Sequence, residues 1–203
     1  MVFAFLLTAL AAAPARADEA VYTVRPGDNL TLIAQRFGVD VGAVRQRNDL
    51  AGDLIRVGQT LHLGVPFGRG GQAPAWRHPV ERTGPVLRPF GPYKAGGILM
   101  PRTGVELACA VGSRLLAPAH GVVRFSGVME GYGHLIILEH AARWATVLGP
   151  CDPDHVAVTA GQAVLAGDEL GRTGPPPVDG DEPYVHLELR HRDEAVAPDR
   201  LHR

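Results

Sequence analysis

Residues able to do chemistry concentrate in Tyr184-Val185-His186-Leu187-Glu188-Leu189, near the end of the chain. The alternation predicts a strand with Tyr184, His186 and Glu188 on one face and Val185, Leu187 and Leu189 on the other. The second face is a core face, and the first has the makings of a site. A histidine set between a tyrosine and a glutamate at two-residue spacing is either one ligand of a metal centre or a hydrogen-bonded strand histidine. Partners from elsewhere in the chain must decide between them.

The elements that could supply those partners belong to an ordinary globular chain of 203 residues, 46% hydrophobic, with 20 Lys and Arg against 21 Asp and Glu. That balance, without a basic run able to follow a phosphate backbone, argues against a nucleic-acid partner. Aromatics are sparse at 6%, while 25 Gly and 17 Pro favour short strands and many turns. Val2 to Ala13 is apolar apart from Thr8 and is followed by Pro14 and Ala15-Arg16-Ala17, a small-x-small cleavage pattern. Residues 1–17 are therefore expected to be a signal peptide, too short for the roughly 20 residues of a spanning helix. An exported protein starting at Asp18, in the periplasm or cell envelope, with no remaining transmembrane segment, is the expectation.

Residues 18–63 predict a compact strand, helix, helix, strand unit. Val21 to Val24 is the first strand, and Pro26-Gly27-Asp28 is a turn, with Asp28 or Asn29 able to cap a helix carrying Leu30, Ile33, Ala34 and Phe37. A second helix starts at Asp40, and Gly58 to Leu63 returns as a strand. Tyr22 through Leu30, Ile33-Ala34, Phe37-Gly38, Asn48 and Val57 to Leu61 together resemble a LysM domain over nearly its full length. The resemblance implies binding of N-acetylglucosamine-containing glycan, here peptidoglycan. Its groove would lie between Gly27, Asp28, Asn29 and Leu30 on one side and Leu54, Ile55 and Arg56 on the other.

Residues 64–75, rich in Gly and without hydrophobic period, read as a linker. From Trp76 the chain changes to short apolar runs between glycine turns, predicting an all-β domain over 76–195 and a tail over 196–203. The fold class is thus α+β. Phe90-Gly91, Gly104 to Leu107, Ala117 to Val123, Gly131-Tyr132-Gly133, Gly161-Gln162 and His186-Leu187-Glu188 are similar to the lysostaphin/LytM-type zinc metallopeptidase fold. Active members of that family bind zinc through a histidine, an aspartate four residues later and the second histidine of a His-x-His pair. Two further histidines assist the attacking water.

Mapped by the resemblance, those positions hold Arg102, Glu106 and His186, with Pro150 and Tyr184 where the assisting histidines belong. Only His186 keeps the family's residue. A guanidinium stays charged, and about 4 Å from a divalent ion, at an effective dielectric near ~20, it would oppose binding by roughly 8 kcal/mol. Arg102 is therefore expected to pair with Glu106 or Glu188 in place of a metal. None of the nine histidines forms a His-x-His pair, and His120, His134 and His140 fall where the family has no ligand. Cys109 and Cys151 could form a disulfide, stay as free thiols, or bind metal; a disulfide would close a loop of about 40 residues and contribute roughly 3–5 kcal/mol.

A LysM domain followed by a metal-less domain of this kind is similar to envelope proteins that activate N-acetylmuramoyl-L-alanine amidases. The resemblance implies no cofactor, and a groove at Arg102, Glu106, Tyr184 and His186 that engages an amidase segment. The alternatives are a zinc endopeptidase using His186 and Glu106 with a cysteine or water, and a simple cell-wall binding protein.

Overall fold

The computed structural model describes residues 19–64, 66–67, 73–178, 180–199 and 201. The expected signal peptide lies outside them. Among the described residues no helix is long and apolar enough to cross a membrane.

The first module is β1 (Ala20–Thr23), α1 (Leu30–Phe37), α2 (Val41–Arg47) and β2 (Thr60–Gly64), with the two strands antiparallel and Tyr22 opposite Leu61. Asn29 rather than Asp28 caps α1, its side chain accepting from the Leu32 N–H at 2.8 Å, which satisfies one of the donors a helix start leaves free. Gly38 ends that helix in the left-handed region, where glycine carries no steric penalty. Leu30, Ile33, Ala34 and Phe37 all face inward, as their spacing requires. Asn48 ties α2 to β2: its Nδ2 donates to the carbonyls of Val44 and His62, and its Oδ1 accepts the His62 N–H.

The second module contains β3 (Val86–Arg88), β4 (Gly91–Ala95), β5 (Ile98–Arg102), β6 (Val105–Ala108), β7 (Arg114–Leu116), β8 (Gly121–Met129) and β9 (Gly133–His140). These are followed by a 3-10 turn at Ala141–Arg143 and by β10 (Trp144–Val156), β11 (Ala163–Val164), β12 (Glu169–Thr173), β13 (Tyr184–His191) and β14 (Glu194–Val196). An antiparallel sheet runs β11-β8-β9-β10-β13-β6-β3, while β4 and β5 form a hairpin of their own. Val185, Leu187 and Leu189 on β13 enter the main core with Val105, Leu107 and Leu148. The predicted apolar face of β13 is thus the core face.

Two boundaries differ from the sequence reading. Phe67, assigned to the linker, is buried in the first module's cluster, its ring 6.1 Å from that of Phe37 and its N–H bonded to the Phe37 carbonyl. Leu201, assigned to the tail, is buried in the main core. A single large apolar residue among glycines or polar residues has no period to reveal it, yet still gains from burial.

The modules pack against each other. Val122 and Ala163 of the sheet join the cluster built by Tyr22, Leu30, Phe37 and Leu61. The Val21 N–H donates to the Gly161 carbonyl at 2.9 Å, and Arg25 forks onto Asp168 with bonds of 2.6 and 2.5 Å.

Candidate functional site

Strand β13 lies between β10 and β6, and the register places His186 opposite Gly149 on one side and Glu106 on the other. The face expected to be open is covered: Tyr184, His186 and Glu188 are 8%, 5% and 1% exposed. Glu106 Oε1 lies 3.9 Å from His186 Nδ1, and Glu188 Oε2 lies 3.5 Å from Nε2. Both are ion-pair separations, too long for formed hydrogen bonds. Tyr132 closes over the imidazole edge-on, with ring centroids 5.9 Å apart.

Each carboxylate is held from its far side by an arginine. Arg88 donates to Glu106 at 2.5 Å and to Asp181 at 3.0 Å. Arg190 donates to Glu188, which also accepts from the Thr103 hydroxyl at 2.7 Å. Asp181, Arg88, Glu106, His186, Glu188 and Arg190 therefore form a chain of alternating sign, whose charges cancel when the imidazole is protonated. Burial alone would lower the His186 pKa, but the flanking carboxylates outweigh it and raise it. Burial likewise works against ionised Glu106 and Glu188, and the cations beside them, His186 first, outweigh it and hold both below the usual carboxylate range. Tyr184, beneath the Arg88 guanidinium at 5.5 Å, has its pKa pushed up to about 12, first by burial and then by the Glu106 charge.

Arg102 stands apart. It ends β5, stacks its guanidinium over Tyr93 at 4.1 Å and reaches the Pro89 carbonyl at 3.4 Å. The expected pairing with Glu106 or Glu188 is corrected: Arg88 and Arg190 take those roles, because the hairpin carries Arg102 away from β6 while β3 lays Arg88 directly beside Glu106. Of the four residues assigned to one groove, the fold brings together Glu106, Tyr184 and His186. Pro150, just past the Gly149 that faces His186, contributes no ionisable group there.

The donors present do not fit a zinc ion. Both carboxylates are engaged by guanidinium groups, the first ligand position is an arginine on another element, and Gly104 crowds the imidazole, a Cβ there falling 2.6–2.7 Å from its Cε1 and Nε2. Buried Nε2 has no hydrogen-bond partner among the described residues, but one imidazole is far short of the three protein ligands of a catalytic zinc site.

The two cysteines are free and buried, which corrects the possible disulfide. Cys109 bonds through its N–H to the Pro183 carbonyl just before β13, whereas Cys151 on β10 pairs with Thr173 of β12 and His134 of β9. Burial pushes the Cys151 thiol up to about 12.

In the first module, Asp28 and Leu30 serve the fold rather than a groove. Asp28 accepts from the Tyr22 hydroxyl at 2.7 Å, the Arg25 N–H at 2.8 Å and Arg36 at 2.6 Å, and Leu30 is fully buried. The Asn29 side chain is used as the cap, and Ile55 packs on the core. Gly27 adopts φ +84° with open space at its Cβ position, and Leu54, Arg56 and Val57 are exposed. The accessible parts of the two loops are therefore the Gly27 main chain on one and Leu54, Arg56 and Val57 on the other. Asp28→Asn is expected to cost about 1.5–3 kcal/mol by weakening charged hydrogen bonds, read as a lower urea midpoint with glycan affinity of the folded protein retained.

Family models match residues 22–64 as LysM domain and residues 100–198 as Peptidase family M23. The chain joins a LysM domain to a peptidase family M23 domain. The M23 domain is 99 residues by the match, reaching from β5 through β14. Among curated relatives, the uncharacterized lipoprotein YgeR of Escherichia coli is 26% identical, the alignment covering 88% of this chain and 79% of that one. The murein hydrolase activator NlpD of Escherichia coli is 29% identical over 61% of this chain and 30% of its own. A zinc containing peptidase from Vibrio cholerae shares the fold at a TM-score of 0.56 and 17% identity, covering 88% of this chain and 69% of that one. The likeness to murein hydrolase activators and M23 peptidases gives this LysM–M23 chain a cell-wall role.

Sequence reading missed Arg88, Asp181 and Arg190. Arg190 continued the alternation Tyr184, His186, Glu188 and was within reach of that signal; Arg88 and Asp181 come from distant segments with no local pattern.

Proposed function

We propose that this protein is an exported peptidoglycan-binding protein without peptidase activity that regulates a cell-wall amidase. The observation that carries the proposal is the alternating ion chain: the Arg88 guanidinium neutralises Glu106 at one expected ligand position of an active M23 domain, and His186 at another lies between Glu106 and Glu188. A fold whose hydrolytic centre is filled in this way retains a surface for recognition. The LysM rim at Gly27, Leu54, Arg56 and Val57 anchors the protein to glycan strands.

The partner surface moves outward from His186 to the β4–β5 hairpin. There Phe90, Pro92, Leu99, Met100 and Pro101 form an open, mainly apolar groove of about 420 Å³ with Arg102 at its side. A half-buried arginine stacked on an aromatic ring beside apolar side chains is a combination enriched at the centres of protein interfaces.

Two measurements test this. Purified protein is expected to contain far less than one zinc per chain; near-stoichiometric zinc that disappears in His186→Ala would establish the metallopeptidase alternative instead. Dye release from labelled peptidoglycan should rise when this protein is added to a cognate amidase, and Arg102→Ala should weaken that effect by about tenfold, as for loss of an interface anchor. Unchanged amidase activity would reduce the protein to a wall binder.

A further inference from the structure

Between the modules lies a further cavity, of about 210 Å³, lined by none of the residues of the ion chain or of the β4–β5 groove. Its polar lining is Arg36 from α1, Arg77 from the segment before β3 and His120 from the turn before β8; Phe67, Pro74 and four alanines make its walls. The site exists only because the modules are packed, since Arg36 and His120 come from different domains.

The charges around the cavity are unevenly satisfied. Asp28 is consumed by Tyr22, Arg25 and Arg36. Asp168 is consumed by the Arg25 fork and the Leu165 N–H. Arg77 is left without an acidic partner among the described residues, exposed and with its guanidinium beside Gly167. His120 Nδ1 accepts the Ala166 N–H at 3.1 Å, so a neutral ring carries its proton on Nε2 and remains a donor. Burial, then Arg36, push the pKa of His120 down, with Arg77 adding to the effect and Asp168 opposing it. That is the response of an imidazole in a locally positive field.

We propose that this cavity binds the carboxylate end of a short peptide of small residues. The guanidinium of Arg77 supplies a planar fork suited to a carboxylate, with His120 and the free edge of Arg36 as further donors. The alanine and proline walls leave space for methyl-sized side chains. The volume, below the range of pockets that enclose whole drug-sized ligands, admits one or two residues and not a polysaccharide. Stem peptides of peptidoglycan carry this chemistry, so the choice of source rests on the wall-binding part of the proposed function; the site itself does not.

The probe is the dipeptide Ala-Ala, titrated by calorimetry into the exported form of the full protein, alongside its C-terminal amide and a chitooligosaccharide. Ala-Ala is expected to bind, with a loss of about tenfold or more on amidation or in Arg77→Gln, as for removal of a charge-assisted contact. Because Arg77 is exposed and outside the LysM rim, the variant should keep the wild-type melting temperature and chitooligosaccharide affinity. Equal binding of acid and amide, wild-type affinity in Arg77→Gln, or no binding of Ala-Ala would each overturn the proposal. Dipeptide binding without chitooligosaccharide binding would support the cavity site while removing the glycan-anchoring role.

Discussion

Glu188→Gln is expected to lower the free energy of unfolding by about 3–5 kcal/mol, the cost of leaving buried charges without their partner. The carboxylate is 1% exposed and holds His186 and Arg190 from opposite sides. The amide preserves shape and can still accept from Thr103, so the loss reports charge rather than packing. Urea titration reads it as a midpoint shift at constant slope. Adding His186→Asn should recover part of the loss, because the second substitution removes one of the stranded cations, and the pair should be clearly non-additive. A Glu188→Gln protein as stable as the parent would show that the ion chain does not hold the strands together. The same experiment separates this centre from a surface network, whose individual pairs contribute only about 0–1 kcal/mol.

Acid should destabilise the protein through a different residue. His140 is fully buried, with Nδ1 bonded to the His120 carbonyl and Nε2 to the Thr146 hydroxyl, each at 2.9 Å. Because Nδ1 faces a carbonyl it carries the proton, and Nε2 accepts from Thr146. Burial lowers its pKa to about 4, against about 6.5 unfolded. Between those values the unfolded chain binds a proton that the native state refuses, so stability rises with pH across the window. The contribution is complete above about pH 6.5 and falls by about 3 kcal/mol as pH approaches 4. His140→Asn can keep one donor and one acceptor without titrating. It should be less stable than the parent at pH 7, and the gap should shrink by about 3 kcal/mol by pH 4, measured as unfolding free energy at several pH values. A gap independent of pH would mean that His140 is not the titrating group. His186 contributes with the opposite sign, its raised pKa giving stability that is lost as pH rises, so the variant comparison is needed to isolate His140.

The parts of this molecule with a local period were readable from the chain. Leu30, Ile33, Ala34 and Phe37 announce α1, and Val185, Leu187 and Leu189 announce the core face of β13. Tertiary pairing was harder. Nothing near Arg88 marks it as the partner of Glu106, since the two meet only when β3 pairs with β6. Arg102, two residues before Gly104, looked like the natural neighbour of the acidic residues, but it belongs to a hairpin that pairs only with itself. The covering of His186 was equally hidden: alternation places a residue on a face without saying whether another ring or loop lies over it, and here Tyr132 and Gly104 do. Capping gave an intermediate case. Asp28 and Asn29 are equivalent candidates for α1, and only the bonds from the Tyr22 hydroxyl, the Arg25 N–H and the Arg36 guanidinium explain why Asp28 is diverted.

The packing of the two modules through Arg25, Asp168 and the shared cluster around Val122 has a geometric consequence. With a loose tether, a sugar strand gripped by the first module would fix only the distance at which the second could roam, and every later encounter would bear the loss of its rotational freedom. With the modules docked, gripping the strand also sets the compass bearing of the β4–β5 hairpin relative to the strand axis. Under the proposed function the molecule would then act as a bracket, presenting one face at one angle to whatever works along the wall.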